Sequence, residues 1–214
     1  MDHQYIENYY DITKIKNYFF DEVKDTYSGG PKSSKFSAYG MHGCWDIPLR
    51  LENKNNPIHD LIHKIQNDFG HFKIIPENAS IRLMGYPFVV HDDLGSNYNI
   101  WNFLKSKGAK EYRTYLIPLS WEQPQEPGTA FFSSPPRLDE PLYKERLDIL
   151  PHYNDKSQDE QAKYSIQAIY KWRNPGDLVT WINFQHHCTL DSHTYPYSAN
   201  LDKIAKSFIS LRTY

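Results

Sequence analysis

Ten histidines are spread along the chain, and two groups of them stand where apolar runs end. Val89-Val90-His91-Asp92-Asp93 sets an imidazole, a residue facing the other way and a carboxylate in succession. On an extended backbone His91 and Asp93 share one side and Asp92 takes the other. Far downstream, His186-His187 offers a second imidazole. Two imidazoles and one carboxylate brought together form a facial triad that leaves three positions open on a metal, the arrangement suited to non-haem iron(II). The competing reading of the same residues is a polar exit from a strand into a turn, with the Asp92-Asp93 pair solvated.

The elements that must position these groups are read from periodicity and turn chemistry. Asp11 is a candidate N-cap, followed by Ile12, Ile15, Phe19 and Val23 at helical spacing, and Ser28-Gly29-Gly30-Pro31 ends that helix. Asn56 and Pro57 open a second helix whose apolar stripe is Ile58, Leu61, Ile62, Ile65 and Phe69. His59 and His63 lie at i and i+4 on it; with no Glu after His59 and no further ligand, they read as surface histidines. From Ala79 the pattern turns to strands: Ile81–Met84, then Tyr86–Val90 running into His91. Residues 94–110 are polar and loop-like, with a short turn of helix or a lid at 100–104. Tyr112–Ser120, Gly128–Phe132, Leu178–Ile182 and Lys206–Tyr214 read as strands. Asn174-Pro175-Gly176-Asp177 is a turn, Ser165–Trp172 fits either state, and the proline- and charge-rich residues 133–165 form an insertion. Helices first and many short strands after predict one mainly β domain over 1–214: a helical support at 1–78 and a jelly-roll core at 79–214.

Composition narrows the function class. A formal net charge of -2 and a pI of about 6.5 give no nucleic-acid footprint and no basic membrane face. Seventeen Tyr, eleven Phe and five Trp suit strands and a lined pocket. Two distant cysteines, Cys44 and Cys188, make no disulfide framework. With no leader-like segment and no long apolar run, the expectation is a soluble cytoplasmic protein. Oligomeric state is not legible.

Taken together, these segments resemble the iron(II)/2-oxoglutarate-dependent dioxygenases, near their prolyl-hydroxylase-like and phytanoyl-hydroxylase-like branches. His91-Asp92-Asp93 resembles their His-x-Asp motif. Arg113–Ser120 and Gly128–Phe132 resemble the strands that follow it, Gly176-Asp177-Leu178-Val179-Thr180-Trp181 the strand leading to the distal histidine, and His187-Cys188-Thr189 that histidine itself. The resemblance covers about residues 79–214. It implies a double-stranded β-helix, Fe(II) held by His91, Asp93 and His187, and 2-oxoglutarate and O2 as cosubstrates. The implied reaction is hydroxylation of an unactivated C–H bond with release of succinate and CO2. The substrate would be a small molecule or a protein side chain.

The resemblance also implies a buried cation, with a hydroxyl beside it, for the distal carboxylate of 2-oxoglutarate. Lys206 is the first candidate, with Ser210 on its strand face; Arg212 is the second and Arg113 the third. Tyr115 stands near the family's cosubstrate-contacting tyrosine. His186 and His193 are the alternatives to His187. Two other readings compete: a cupin-like metalloprotein with a different reaction, and a dioxygenase-like fold without metal acting as a binding or structural module. No Gly-x-Ser-x-Gly elbow supports a serine hydrolase.

Overall fold

The computed structural model describes residues 2–19, 44–70, 72–76, 79–84, 94–121, 127–133, 166–182, 184–190 and 206–214. The strands are β1 (His3–Ile6), β2 (Cys44–Pro48), β3 (Ser80–Met84), β4 (Arg113–Trp121), β5 (Gly128–Phe132), β6 (Ile166–Lys171), β7 (Leu178–Ile182), β8 (His186–Leu190) and β9 (Lys206–Thr213). The helices are α1 (residues 13–19), α2 (Ile58–Phe69) and α3 (Leu94–Ser106). Six strands form one antiparallel sheet in the order β1-β7-β4-β9-β3-β2, and three form a second in the order β6-β5-β8.

Side-chain alternation sorts the six-stranded sheet into two faces. Tyr115, Ile117, Leu178, Ile209 and Leu211 meet Ile15 of α1 and Ile58, Leu61 and Ile65 of α2 in one buried cluster. Each fully buried aliphatic chain there contributes about 2 kcal/mol. The opposite face carries Leu116, Val179, Trp181 and Phe208, which pack on Phe131 of the second sheet and on Trp172. A functional side chain on the sheet therefore points either to the helices or to the inter-sheet space, according to its parity.

Local chemistry explains the element ends. Asp11 Oδ1 accepts from the Thr13 backbone N–H at 3.0 Å, starting α1, and Asn56 Oδ1 accepts from the Ile58 N–H at 3.0 Å, starting α2. The Asn174–Asp177 turn is fixed by the buried Asp177 carboxylate. It accepts from the Tyr5 hydroxyl at 2.5 Å and from the backbone N–H groups of Asn8, Arg173 and Asn174 at 2.8, 2.9 and 2.8 Å. Gly176 is at φ +90°, and a Cβ there would collide with the Tyr10 carbonyl oxygen. One short sequence thus ties β1, the turn and β7 together.

Several expectations change. The 94–110 stretch is not a loop: α3 occupies Leu94–Ser106. Gly95, Ser96, Asn97 and Asn99 are weak helix formers, and the helix is held instead by Ile100, Trp101 and Leu104 packing with Tyr112 and Phe184. Strand β1, within the helical support, is unexpected and forms one edge of the larger sheet, while β2, within residues 32–56 that read as short strands and loops, forms the other. Residues 166–171 are a strand. The remainder of the proposed insertion, residues 134–165, lies outside the described residues.

Candidate functional site

His187 sits on β8 opposite Phe131 of β5, so both rings face the larger sheet. It is buried, and its ring lies 4.4 Å from the Trp181 indole across the inter-sheet space. The turn before it is pinned at two points. Phe184, in a left-handed conformation at φ 60°, stacks on Tyr112 at 4.5 Å and meets Trp101 at 5.8 Å. The Gln185 amide donates to the Phe132 carbonyl at 2.7 Å and to Gln167 Oε1 at 2.9 Å.

Gln185 then fixes the histidine itself. His187 Nδ1 lies 2.7 Å from the Gln185 carbonyl oxygen. A carbonyl only accepts, so Nδ1 carries the proton and, in the neutral ring, Nε2 carries the lone pair. That is the tautomer a metal-ligating imidazole requires, with its other nitrogen committed to a backbone oxygen. Gln185 has no signature in the sequence beyond its place two residues before His187.

The larger sheet places the cations. Trp181 pairs with Thr114, and Thr114 with Arg212, so the three form one row across β7, β4 and β9. Arg212 and Ser210 are buried and share the face of Phe208 towards the second sheet. Two strand spacings, about 10 Å, separate Trp181 from Arg212 along that row. Lys206 begins β9 opposite Met84 and Trp121, six residues or about 20 Å of strand from Arg212; its side chain is outside the described residues.

The remaining candidates divide by face or by region. Arg113 and Tyr115 stand on the helix-facing side. Arg113 Nε bonds Glu111 Oε1 at 2.7 Å and its guanidinium lies 5.8 Å from the Phe69 ring of α2. The Tyr115 ring lies 5.3 Å from Phe69 and 5.5 Å from Phe72. His186 takes the opposite face of β8 from His187. His91, Asp93 and His193 lie outside the described residues. Among the described residues no cluster of three metal-ligating side chains forms. His59, on α2, bonds the Asn53 carbonyl at 3.0 Å.

An aromatic wall missed in the sequence lies beside His187. His3 of β1 stacks on Phe131 at 4.4 Å with 9° between the planes, and its Nδ1 lies 3.0 Å from the Tyr170 hydroxyl. Burial lowers the His3 pKa below its ordinary value, opposed by Asp2. A four-residue strand at the start of the chain carries too little pattern to announce this role.

No protein-family model matches the sequence, and no curated protein matches it. Among solved structures, the chain is similar in fold to EctD from S. alaskensis, solved with 2-oxoglutarate and 5-hydroxyectoine. The TM-score is 0.50 at 11% identity, over 99% of this chain and 71% of that one. At that identity the likeness is one of fold. No described helix is long and apolar enough to cross a membrane.

Proposed function

We propose that the two sheets are the walls of a double-stranded β-helix and that the protein is an Fe(II)- and 2-oxoglutarate-dependent oxygenase. It would hydroxylate an unactivated C–H bond of a small molecule or a protein side chain, with O2 as the third reactant. The supporting observation is the Trp181–Thr114–Arg212 row, which brings a buried imidazole and a buried guanidinium to one inter-sheet space. The likeness in fold to EctD, solved with 2-oxoglutarate, supports the same reading.

In this reading His187 Nε2 holds the iron with His91 and Asp93, and the intact Asp93 favours hydroxylation. Iron chelated by the keto acid supplies the oxidising power. Arg212 binds the distal carboxylate of 2-oxoglutarate with the Ser210 hydroxyl two residues before it on the same face. Arg212 takes precedence over Lys206 because it stands in the Trp181 row, whereas Lys206 stands at the far end of β9. Trp181 and Phe131 keep water from the His187 ring, and Gln185 holds that ring in its ligating tautomer.

Anaerobic titration with Fe(II) and 2-oxoglutarate tests this reading through the visible charge-transfer band of the chelate. Wild type gives the band, while His91→Ala, Asp93→Ala and His187→Ala lose it. An absent band together with no tight Fe(II) binding would overturn the proposal and leave the metal-free binding module.

A further inference from the structure

Away from the inter-sheet space, a cleft of about 440 Å³ opens between the end of β9 and the turn after α3. Lys73, Lys107 and Lys110 line it together with Phe72 and Tyr214. Both walls are fixed by backbone hydrogen bonds. Lys73 and Tyr214 exchange N–H to carbonyl bonds of 3.0 Å each, and Ile75 donates to Arg212 at 2.8 Å, adding this segment to the sheet. The 107–110 turn is closed by bonds from Lys107 and Ala109 to the Leu104 carbonyl, both 3.0 Å, and from Gly108 to Lys105 at 2.9 Å.

The charged side chains that line this cleft are all basic. No carboxylate side chain lines it. Glu111, the nearest acidic residue in the sequence, is engaged by Arg113 at 2.7 Å. None of the three lysines belongs to an ion pair among the described residues. Three lysines at one concavity raise the positive potential there, which a bound anion relieves, and the Lys107 ammonium, 5.6 Å from the exposed Phe103 ring, would swing from that ring to take part. Lysine holds phosphate as a point charge, without the planar guanidinium fork that matches carboxylate and phosphate alike. The volume is that of a small-molecule site, and two aromatic residues in its lining suit an organic body that an inorganic ion lacks.

We infer that this cleft binds a small organic phosphate, its phosphate against Lys73, Lys107 and Lys110 and its body against Phe72 and Tyr214. The inference uses no residue of the proposed iron site and is independent of the oxygenase reading.

Isothermal titration of the full chain at about 0.15 M salt, where exposed charges are screened beyond about 8 Å, tests it with AMP, pyrophosphate and citrate as probes. AMP binds saturably at one site, and the Lys73→Gln/Lys107→Gln/Lys110→Gln variant weakens it at least tenfold. If that variant is misfolded by circular dichroism, Lys107→Gln and Lys110→Gln separately, in an exposed turn, each weaken AMP about threefold or more. No saturable AMP binding, or AMP binding unchanged in the folded variants, overturns the site. Citrate binding more tightly than AMP overturns the phosphate assignment in favour of a polycarboxylate, and pyrophosphate binding as tightly as AMP overturns the role of the rings.

Discussion

The Trp181 indole lies 4.4 Å from the His187 imidazole at an interplanar angle of 48°, each ring on a different sheet. The contact makes the orientation of a candidate ligand depend on the packing between the sheets. Trp181→Ala would remove a buried ring and cost about 3–5 kcal/mol of stability. Trp181→Phe keeps the core filled and is the informative change. Supporting residues of metal ligands typically change affinity about 10–100-fold, so Fe(II) affinity falls about tenfold in this variant while the urea midpoint moves little. Unchanged Fe(II) affinity would remove Trp181 from the site.

Arg212 and Arg113 separate binding from folding, because Arg212 lies on the inter-sheet face and Arg113 on the helix face. Under the proposed oxygenase function, Arg212→Met would strand the distal carboxylate of 2-oxoglutarate, a loss of about 3 kcal/mol or more. The concentration of 2-oxoglutarate needed to develop the charge-transfer band rises about a hundredfold or more. Arg113→Met and Lys206→Met leave it within about threefold. A large effect from Lys206→Met alone would move the carboxylate site to the other end of β9.

Asp177 is structural in this fold, although it belongs to the segment read as leading to the candidate ligand His187. Asp177→Ala leaves the N–H groups of Asn8, Arg173 and Asn174 and the Tyr5 hydroxyl without their acceptor. The expected cost is about 3 kcal/mol or more, read as a lower urea midpoint. Gly176→Ala, which meets the Tyr10 carbonyl and requires positive φ, costs about 2–3 kcal/mol. A midpoint unchanged in both variants would contradict the anchoring role.

Alkaline pH should unfold the protein through its tyrosines. Burial raises the Tyr115 hydroxyl far above its ordinary value of 10.0; burial and the bond to Asp177 do the same for Tyr5. In the unfolded chain these groups release protons near pH 10, while the folded chain retains them. The unfolded state then binds fewer protons, so stability falls as pH rises. Below pH 10 the contribution is complete; above it, the buried Tyr115 removes up to about 1.4 kcal/mol per pH unit. Urea midpoints measured from pH 8 to 11 follow this course in wild type, with a shallower decline in Tyr115→Phe.

The sequence discloses what repeats and hides what depends on register. The alternation in Tyr112–Ser120 and the turn at Asn174–Asp177 announce β4 and β7, and the apolar stripe of α2 announces its helix. The choice between Lys206 and Arg212 is different: both have the same parity on one strand. Their places in the sheet are set by pairing, Arg212 with Thr114 and Lys206 with Trp121, residues far away in the chain. Tyr115 shows the same limit, since alternation says that two faces exist without saying which faces the helices. α3 was hidden by weak helix formers that tertiary packing overrides, and β1 by its length of four residues.

The strand with the most consequence for how this protein is made is β9. It lies inside the larger sheet between β4 and β3, yet the ribosome delivers it after both of them and after every other described strand. Until Lys206–Thr213 emerge, β3 and β4 each present an unpaired edge, and the layer that α2 must cover lacks Ile209 and Leu211. Such distant pairings close slowly, and exposed edges recruit other chains in the meantime. Synthesis stalled or cut short before residue 206 should therefore yield an aggregation-prone chain. Slower translation should offer little rescue, because the missing partner lies downstream of every element that waits for it.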